Sequence, residues 1–160
     1  MCEYCGCQAL AAVEELTREH DEVVRLVGHL RVARQEGGGG VTRMAEVARE
    51  IAAILGPHTQ VEEHGLFPAL AGDFPRQIAA LEAEHRRVEA VLAEAADGVT
   101  PPDPAWPDRL LEAMALLREH ILKEQDGVFP AALAHLGTEE WEAVEAARAR
   151  AGSPLPRPAA

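Results

Sequence analysis

The sequence predicts an all-α protein: a bundle of four helices followed by a short fifth helix. Three observations carry this expectation. Hydrophobic residues make up 48% of the 160 residues while aromatics make up only 4%, a composition that suits close-packed helices better than a sheet. Apolar residues recur at intervals of three and four over long stretches, the signature of a helix with one buried face. The chain also repeats itself. The stretch His58 to Leu70, HTQVEEHGLFPAL, returns as His120 to Leu133, HILKEQDGVFPAAL. The copies align without a gap from histidine through proline.

Taken in order, residues 1–8, MCEYCGCQ, read as a short non-helical arm. The first helix is expected from Ala9 to Gln35, with Leu10, Val13, Leu16, His20, Val23, Val24, Val27 and Leu30 along its stripe. Gly37 to Gly40 break it. The second helix carries Val41, Met44, Val47, Ile51, Ile54 and Leu55 on its buried side. Gly56-Pro57 should kink it or restart it just before His58, since an interior proline removes a hydrogen bond and crowds the preceding turn. Phe67-Pro68 is a second disturbance, and Gly72-Asp73 ends the element. The third helix is expected from Pro75 to Ala96 with Ile78, Leu81, His85, Val88 and Leu92 inside. Asp97 to Pro107 is proline-rich and reads as a loop. The fourth helix is expected from Pro107 to Ala134, with Leu110, Met114, Leu117, Ile121 and Val128 inside. A fifth should follow Gly137, with Thr138 as its cap and Glu139 and Glu140 favoured by the dipole of its first turn. Trp141 and Val144 would pack it down. The bundle thus spans residues 9–151, and the proline-rich residues 152–160 read as a flexible tail.

Each repeat holds a histidine followed four residues later by a glutamate: His58 and Glu62, His120 and Glu124. Four helical residues advance about 400° and rise about 6 Å, so each pair lies on one face, one group above the other. Each pair is preceded by a lone histidine, His20 in EHDEVVRLV and His85 in EHRRVEAVL. Both fall within apolar stripes. A single histidine on such a face is most often a core residue satisfied by a hydrogen bond. Four histidines and two glutamates on four inward faces would require six unfavourable burials. A cation removes that difficulty, because carboxylates supply charge and neutral imidazoles supply donors. Mixed imidazole and carboxylate without thiolate suits iron, manganese or zinc, with iron leading. These are more donors than one ion takes. Two ions bridged by Glu62 and Glu124, with His20, His58, His85 and His120 as terminal ligands, is the simplest arrangement. His29, His64 and His135 point away from this face and read as surface or supporting residues. Phe67 and Phe129 read as core residues that could also wall the site.

The formal charge of -12 argues against nucleic acid and anionic membranes as partners, since both require basic surface. No apolar run approaches the length of a bilayer span, and the N-terminus lacks a secretory pattern, so a cytoplasmic location is expected. All three cysteines, Cys2, Cys5 and Cys7, fall in the first seven residues. They form no disulfide framework. They could make a redox or soft-metal site, one ligand short of closure, or do nothing specific.

The order H…HxxxE…H…HxxxE resembles the hemerythrin-like proteins with their HHE cation-binding domain. Here it comprises His20, His58-Glu62, His85 and His120-Glu124, with Leu66-Phe67-Pro68 and Val128-Phe129-Pro130 after the paired ligands. The resemblance covers residues from about 10 to 136. It implies an up-down-up-down, antiparallel four-helix bundle around a non-haem, oxo- or hydroxo-bridged pair of iron ions. Oxygen-carrying members place a further histidine four residues after that of the third helix; this chain has Glu89, which could be a seventh ligand. They also use an aspartate five residues after the last histidine, where this chain offers Glu124 at four. The ferritin-like alternative needs ExxH on two helices. Only Glu82-His85 fits, because Thr17 precedes His20 and Leu117 precedes His120. The function expected is binding or sensing of dioxygen, nitric oxide or peroxide. The alternatives are an enzyme that consumes peroxide or reduces a small oxidant, with electrons entering through Cys2, Cys5 or Cys7, and an interaction bundle with a structural metal.

Overall fold

A computed structural model describes residues 5–159 of the chain, without the side chain of Cys5. Every regular element among them is helical: α1 (Cys5–Gln35), α2 (Gly40–Val61), a π-helical turn (Glu62–Leu66), α3 (Phe67–Leu70), α4 (Pro75–Ala93), α5 (Trp106–Lys123), a second π-helical turn (Glu124–Val128), α6 (Phe129–His135) and α7 (Thr138–Ala151). Helix α1 packs along α2, α4 along α5, and α7 lies across α1, α2 and the first π turn.

Several expectations are corrected by this arrangement. Helix α1 begins at Cys5, so the part of the arm that is described is helical; Cys2 lies outside the described residues. Helix α2 runs unbroken through Pro57. Gly56 removes one obstacle, since part of the clash that drives a residue before proline out of the helix involves its Cβ, and glycine has none; the hydrogen bond that Pro57 cannot donate is still lost. The disturbance falls instead beyond His58, where the helix widens. In each π turn the backbone bond spans five residues: Phe67 N–H donates to the Glu62 carbonyl and Phe129 N–H to that of Glu124. Helix α5 starts one residue before Pro107, with Pro107 in its first turn, where its missing N–H is no loss. Helix α7 is capped at Gly137, not Thr138; the Glu140 carboxylate returns to accept from Gly137 N–H at 3.0 Å.

The interior forms two separate apolar clusters. One joins Val23, Leu26 and Leu30 of α1 to Met44 and Ile51 of α2, Val88 and Leu92 of α4, and Trp106, Leu110 and Met114 of α5. The Trp106 indole N–H is satisfied by the Val91 carbonyl at 3.1 Å. The other joins Leu16, Val61, Leu66, Phe67, Leu70, Ile78, Leu81 and Phe129 to Trp141 and Val144 of α7. Leu10, Val24 and Val41, expected inside, lie at the outer edges of their stripes and are exposed. On all four long elements the two clusters are separated at the same level. His20 sits between Leu16 and Val23, His58 between Leu55 and Val61, and His85 between Leu81 and Val88. On the fourth it is Glu124, between Ile121 and Phe129, that divides them, with His120 one turn before it among Leu117 and Ile121 of the first cluster. A polar layer is therefore sealed between two apolar ones.

Candidate metal centre

The six residues with metal-ligating chemistry converge in that layer. His20, His58, His85, His120, Glu62 and Glu124 are all buried, none more than 5% exposed. Nε2 of His58 lies 3.0 Å from Glu62 Oε1, and Nε2 of His85 lies 3.2 Å from Glu62 Oε2. Nε2 of His120 lies 2.5 Å from Glu124 Oε1, and Nε2 of His20 lies 3.8 Å from the same oxygen. The ligand atoms fall into two groups, each lying within 4.8 Å of one another: His20, His58, Glu62 and Glu124 in one, and Glu62, His85, His120 and Glu124 in the other. Both carboxylates belong to both groups.

Despite this proximity, both oxygens of Glu62, both of Glu124, Nε2 of His120 and both nitrogens of His20 are buried without a hydrogen-bond partner. Such groups are costly to bury unsatisfied. Without a cation their charges conflict. Burial opposes ionisation of Glu62, but the positive charge of His58 prevails and holds its carboxyl well below the usual range. Burial and the Glu62 charge then push Glu124 well above it. Burial and the neighbouring His58 lower His20 to about 3. Burial also depresses His120. In His58 the effect of burial is outweighed by Glu62 and Glu19, which raise it to about 9. In His85 it is outweighed by Glu62 and Glu63. A divalent cation among these lone pairs satisfies the orphaned atoms and the conflicting charges together, so the donor set fits a metal.

Three of the imidazoles are held from behind. Nδ1–H of His58 donates to Glu19 at 2.6 Å, that of His85 to Glu63 at 2.8 Å, and that of His120 to Glu84 at 2.8 Å. These bonds leave Nε2 bare and aimed inward, and a carboxylate behind an imidazole strengthens it as a ligand. Each outer carboxylate is in turn met by a cation: Glu19 by Arg148 at 2.8 Å, Glu63 by Arg86 and Glu84 by Lys123. Phe67 stacks on His85 at 5.8 Å between ring centres, and Phe129 on His20 at 5.6 Å. Both phenylalanines are thus core residues and walls of the site.

Glu89 does not join the cluster. Its side chain is 41% exposed and paired with Arg86 at 2.9 Å. The four-residue spacing is the same as in the two buried pairs, so it is the ion pair with Arg86 on the exposed side of the helix that distinguishes Glu89. Cys7 is exposed in the first turn of α1. Thirteen helical residues separate it from His20, about 20 Å along the axis. His29, His64 and His135 are exposed. The outer carboxylates Glu19, Glu63 and Glu84 are not foreseen in the sequence reading. The doublets Glu19-His20 and Glu84-His85 were a visible signal for two of them, since each glutamate holds the histidine of the next helix. Arg148 continues the stripe of Trp141 and Val144, but nothing local marks Glu19 as its partner.

A bundle of helices whose centre buries four imidazoles and two carboxylates, with all four carboxylate oxygens unpartnered, belongs to the class of cation-binding helical proteins. The family is identified by sequence: the model of the hemerythrin HHE cation-binding domain matches residues 11–132, and the chain belongs to that family. No characterised protein and no solved structure shows significant similarity to it. Among the described residues no helix is long and apolar enough to cross a membrane.

Proposed function

We propose that this chain is a non-haem di-iron protein that binds or senses a small oxidant, dioxygen, nitric oxide or peroxide, at a buried cation pair bridged by Glu62 and Glu124. The observation that carries this reading is that the two ligand groups share both carboxylates. A shared pair of carboxylates between two pairs of imidazoles supports two ions side by side. Each ion would receive two imidazoles and two carboxylate oxygens, fewer donors than iron accepts, so each keeps open positions. Manganese and zinc accept similar ligands; the mixed nitrogen and oxygen set favours iron.

The iron pair, when bound, would supply electrons and open positions for a small ligand. The chain's own residues do the rest. Glu62 and Glu124 bridge. Glu19, Glu63 and Glu84 orient three imidazoles. Phe67 and Phe129, backed by the two apolar clusters, keep bulk water from the centre. The short link between α1 and α2, which pack side by side, supports an up-down-up-down order of the long helices.

Metal analysis with an ultraviolet-visible spectrum of protein from iron-supplemented cells tests this. Two irons per chain with charge-transfer bands of an oxygen-bridged pair, and a spectral change on adding dioxygen or nitric oxide, are expected. His58→Ala and His120→Ala should each lower the iron content. Full iron occupancy in both variants would defeat the ligand assignment, and steady consumption of peroxide by the iron-loaded protein would point to an enzyme instead.

A further inference from the structure

The two halves of the chain supply an internal control for one feature that only the first half has. Aligning the repeats sets Glu19 against Glu84, Val61 against Lys123, and Gly65 against Gly127. In the second half, Glu84 holds His120, and Lys123, one turn along the same helix, grips Glu84. In the first half, Glu19 holds His58, but the position matching Lys123 is Val61, which is apolar and buried. The cation comes instead from α7. Arg148 sets Nη1 2.8 Å from Glu19 Oε1 and Nη2 3.1 Å from Glu19 Oε2, with Nε 3.6 Å from Glu15.

The environments of the two cations differ as much as their origins. Lys123 is 53% exposed, whereas Arg148 is 12% exposed against a Glu19 that is 1% exposed. Nη2 of Arg148 donates to Glu19 Oε2, while Nη1 stands beside Oε1 as an ion pair without hydrogen-bond geometry, so the guanidinium meets both oxygens where a single ammonium meets one. Helix α7 also closes over this half. A Cβ on Gly65 would lie 2.9 Å from the Val144 Cα, whereas Gly127 faces open space. The corresponding surface of the second half is an uncovered apolar groove of about 420 Å³ lined by Leu70, Phe74, Ile78, Leu81 and Val128. Helix α7 lies beyond residue 132, where the family match ends.

We propose that Arg148 is a positioning residue of the cation centre: acting through Glu19 on His58, it makes the ion held by His20 and His58 depend on the fifth helix, while the ion held by His85 and His120 does not. This rests on the two-cation reading above. The chain of contacts runs from the Arg148 guanidinium to both oxygens of Glu19, from Glu19 to Nδ1–H of His58, and from Nε2 of His58 into the cluster. His20 has no carboxylate behind it, since both its nitrogens are unpartnered. His58 is therefore the one braced imidazole of its pair, and its brace hangs on α7. In the other pair both imidazoles are braced, and neither brace involves α7.

The test is cobalt(II) titration of the full chain, followed by the visible bands and by metal retained after dialysis. Wild-type protein should take two ions. Arg148→Met keeps the aliphatic stem but removes the charge. It should weaken one ion by up to about 10-fold, the low end of the range for losing the outer partner itself, since Glu19 stays in place, and leave the other unchanged. Arg148→Lys, which returns a cation to Glu19, should recover most of that loss. In a His120→Ala background, where the first ion is left, Arg148→Met should weaken binding; in a His58→Ala background it should not. Equal weakening in both backgrounds would mean that α7 merely braces the bundle and would overturn the proposal. So would no weakening in either, or a lysine variant no better than methionine. If wild-type protein itself took fewer than two ions, the two-cation reading would fail first and this inference with it.

Discussion

The repeat offers a matched pair of substitutions with opposite expected outcomes, Gly65→Ala and Gly127→Ala. The two glycines occupy the same position in the two π turns, and neither has a positive φ. In each case alanine adds one methyl group and a more restricted unfolded chain. At Gly127 the added Cβ meets nothing within 4 Å, so the substitution should be neutral or stabilise by about 0.4–1 kcal/mol through the unfolded state. At Gly65 the same carbon would stand 2.9 Å from the Val144 Cα, 3.1 Å from the Ala147 Cβ and 3.5 Å from the Ala143 carbonyl oxygen. Two of those atoms are backbone, which cannot rotate aside, so α7 must shift as a unit. Overpacking of this kind costs about 1–3 kcal/mol. Because the unfolded-state gain is common to both variants, the expected gap is the overpacking cost itself, about 1–3 kcal/mol, or roughly 2–12 °C in Tm for a chain of this size. Urea or thermal unfolding of metal-free protein, followed by circular dichroism, measures it. Gly65→Ala as stable as Gly127→Ala would mean that α7 does not seat against the first π turn as described.

Four further outcomes follow from the same geometry. Because Glu62 and Glu124 each serve both ligand groups, Glu62→Gln or Glu124→Gln should lower retention of both ions, whereas His58→Ala should chiefly lower one; metal counting after dialysis separates the two patterns. Loading should release protons, since Glu124, His58 and His85 are all raised in the metal-free protein and must lose them to become donors. Affinity should therefore climb with pH through neutrality, which calorimetry in buffers of different ionisation enthalpy can read. Cys7→Ser should leave metal content unchanged, given about 20 Å of helix between that residue and His20; metal analysis of the variant checks this. Ile51→Ala, in the apolar cluster away from α7, should destabilise by about 2–5 kcal/mol in urea unfolding while leaving cation stoichiometry at two.

How much of this was legible in the sequence depended on whether the signal was periodic. The stripes placed all four long elements, and the inward histidines and glutamates were readable because a helix turns spacing into direction. What escaped depended on contacts between helices or on the hydrogen bonding of a few residues. Glu89 satisfies the same four-residue rule as Glu62, yet it lies exposed and paired with Arg86, a contact between side chains that the spacing does not carry. Pro57 carried the usual signal for a break, yet α2 continues through it, with Gly56 before it sparing one of the clashes a proline makes. Arg148 lies 129 residues from the glutamate it grips; its spacing from Trp141 and Val144 sets it on the packed face of α7, unlike Arg150, but no spacing names a partner on another helix.

The two π turns explain why the same Phe-Pro follows the paired ligands in both halves. In an α-helix Phe67 would stand five residues from Glu62, about 500° of advance, or 140° away around the axis. A glutamate facing the centre would then turn its phenylalanine outward. The π turn absorbs one residue, as the bond from Phe67 N–H to the Glu62 carbonyl shows. Five residues then advance about as far as four ordinarily do, which returns Phe67 to within about 40° of the glutamate. The proline next in line favours this widening, because in a regular helix its ring would press on the carbonyl four residues back and its missing N–H would break the ladder there. The result is seen twice: Phe67 is buried against His85 and Phe129 against His20, each ring within 11° of parallel to the imidazole it covers. Pro68→Ala combined with Pro130→Ala removes that bias. If the bulges exist to aim the phenylalanines, the double variant should stay helical yet lose metal faster on dialysis, as water gains access past displaced rings. Unchanged metal retention in a double variant whose π turns had relaxed to α-helix would refute the connection.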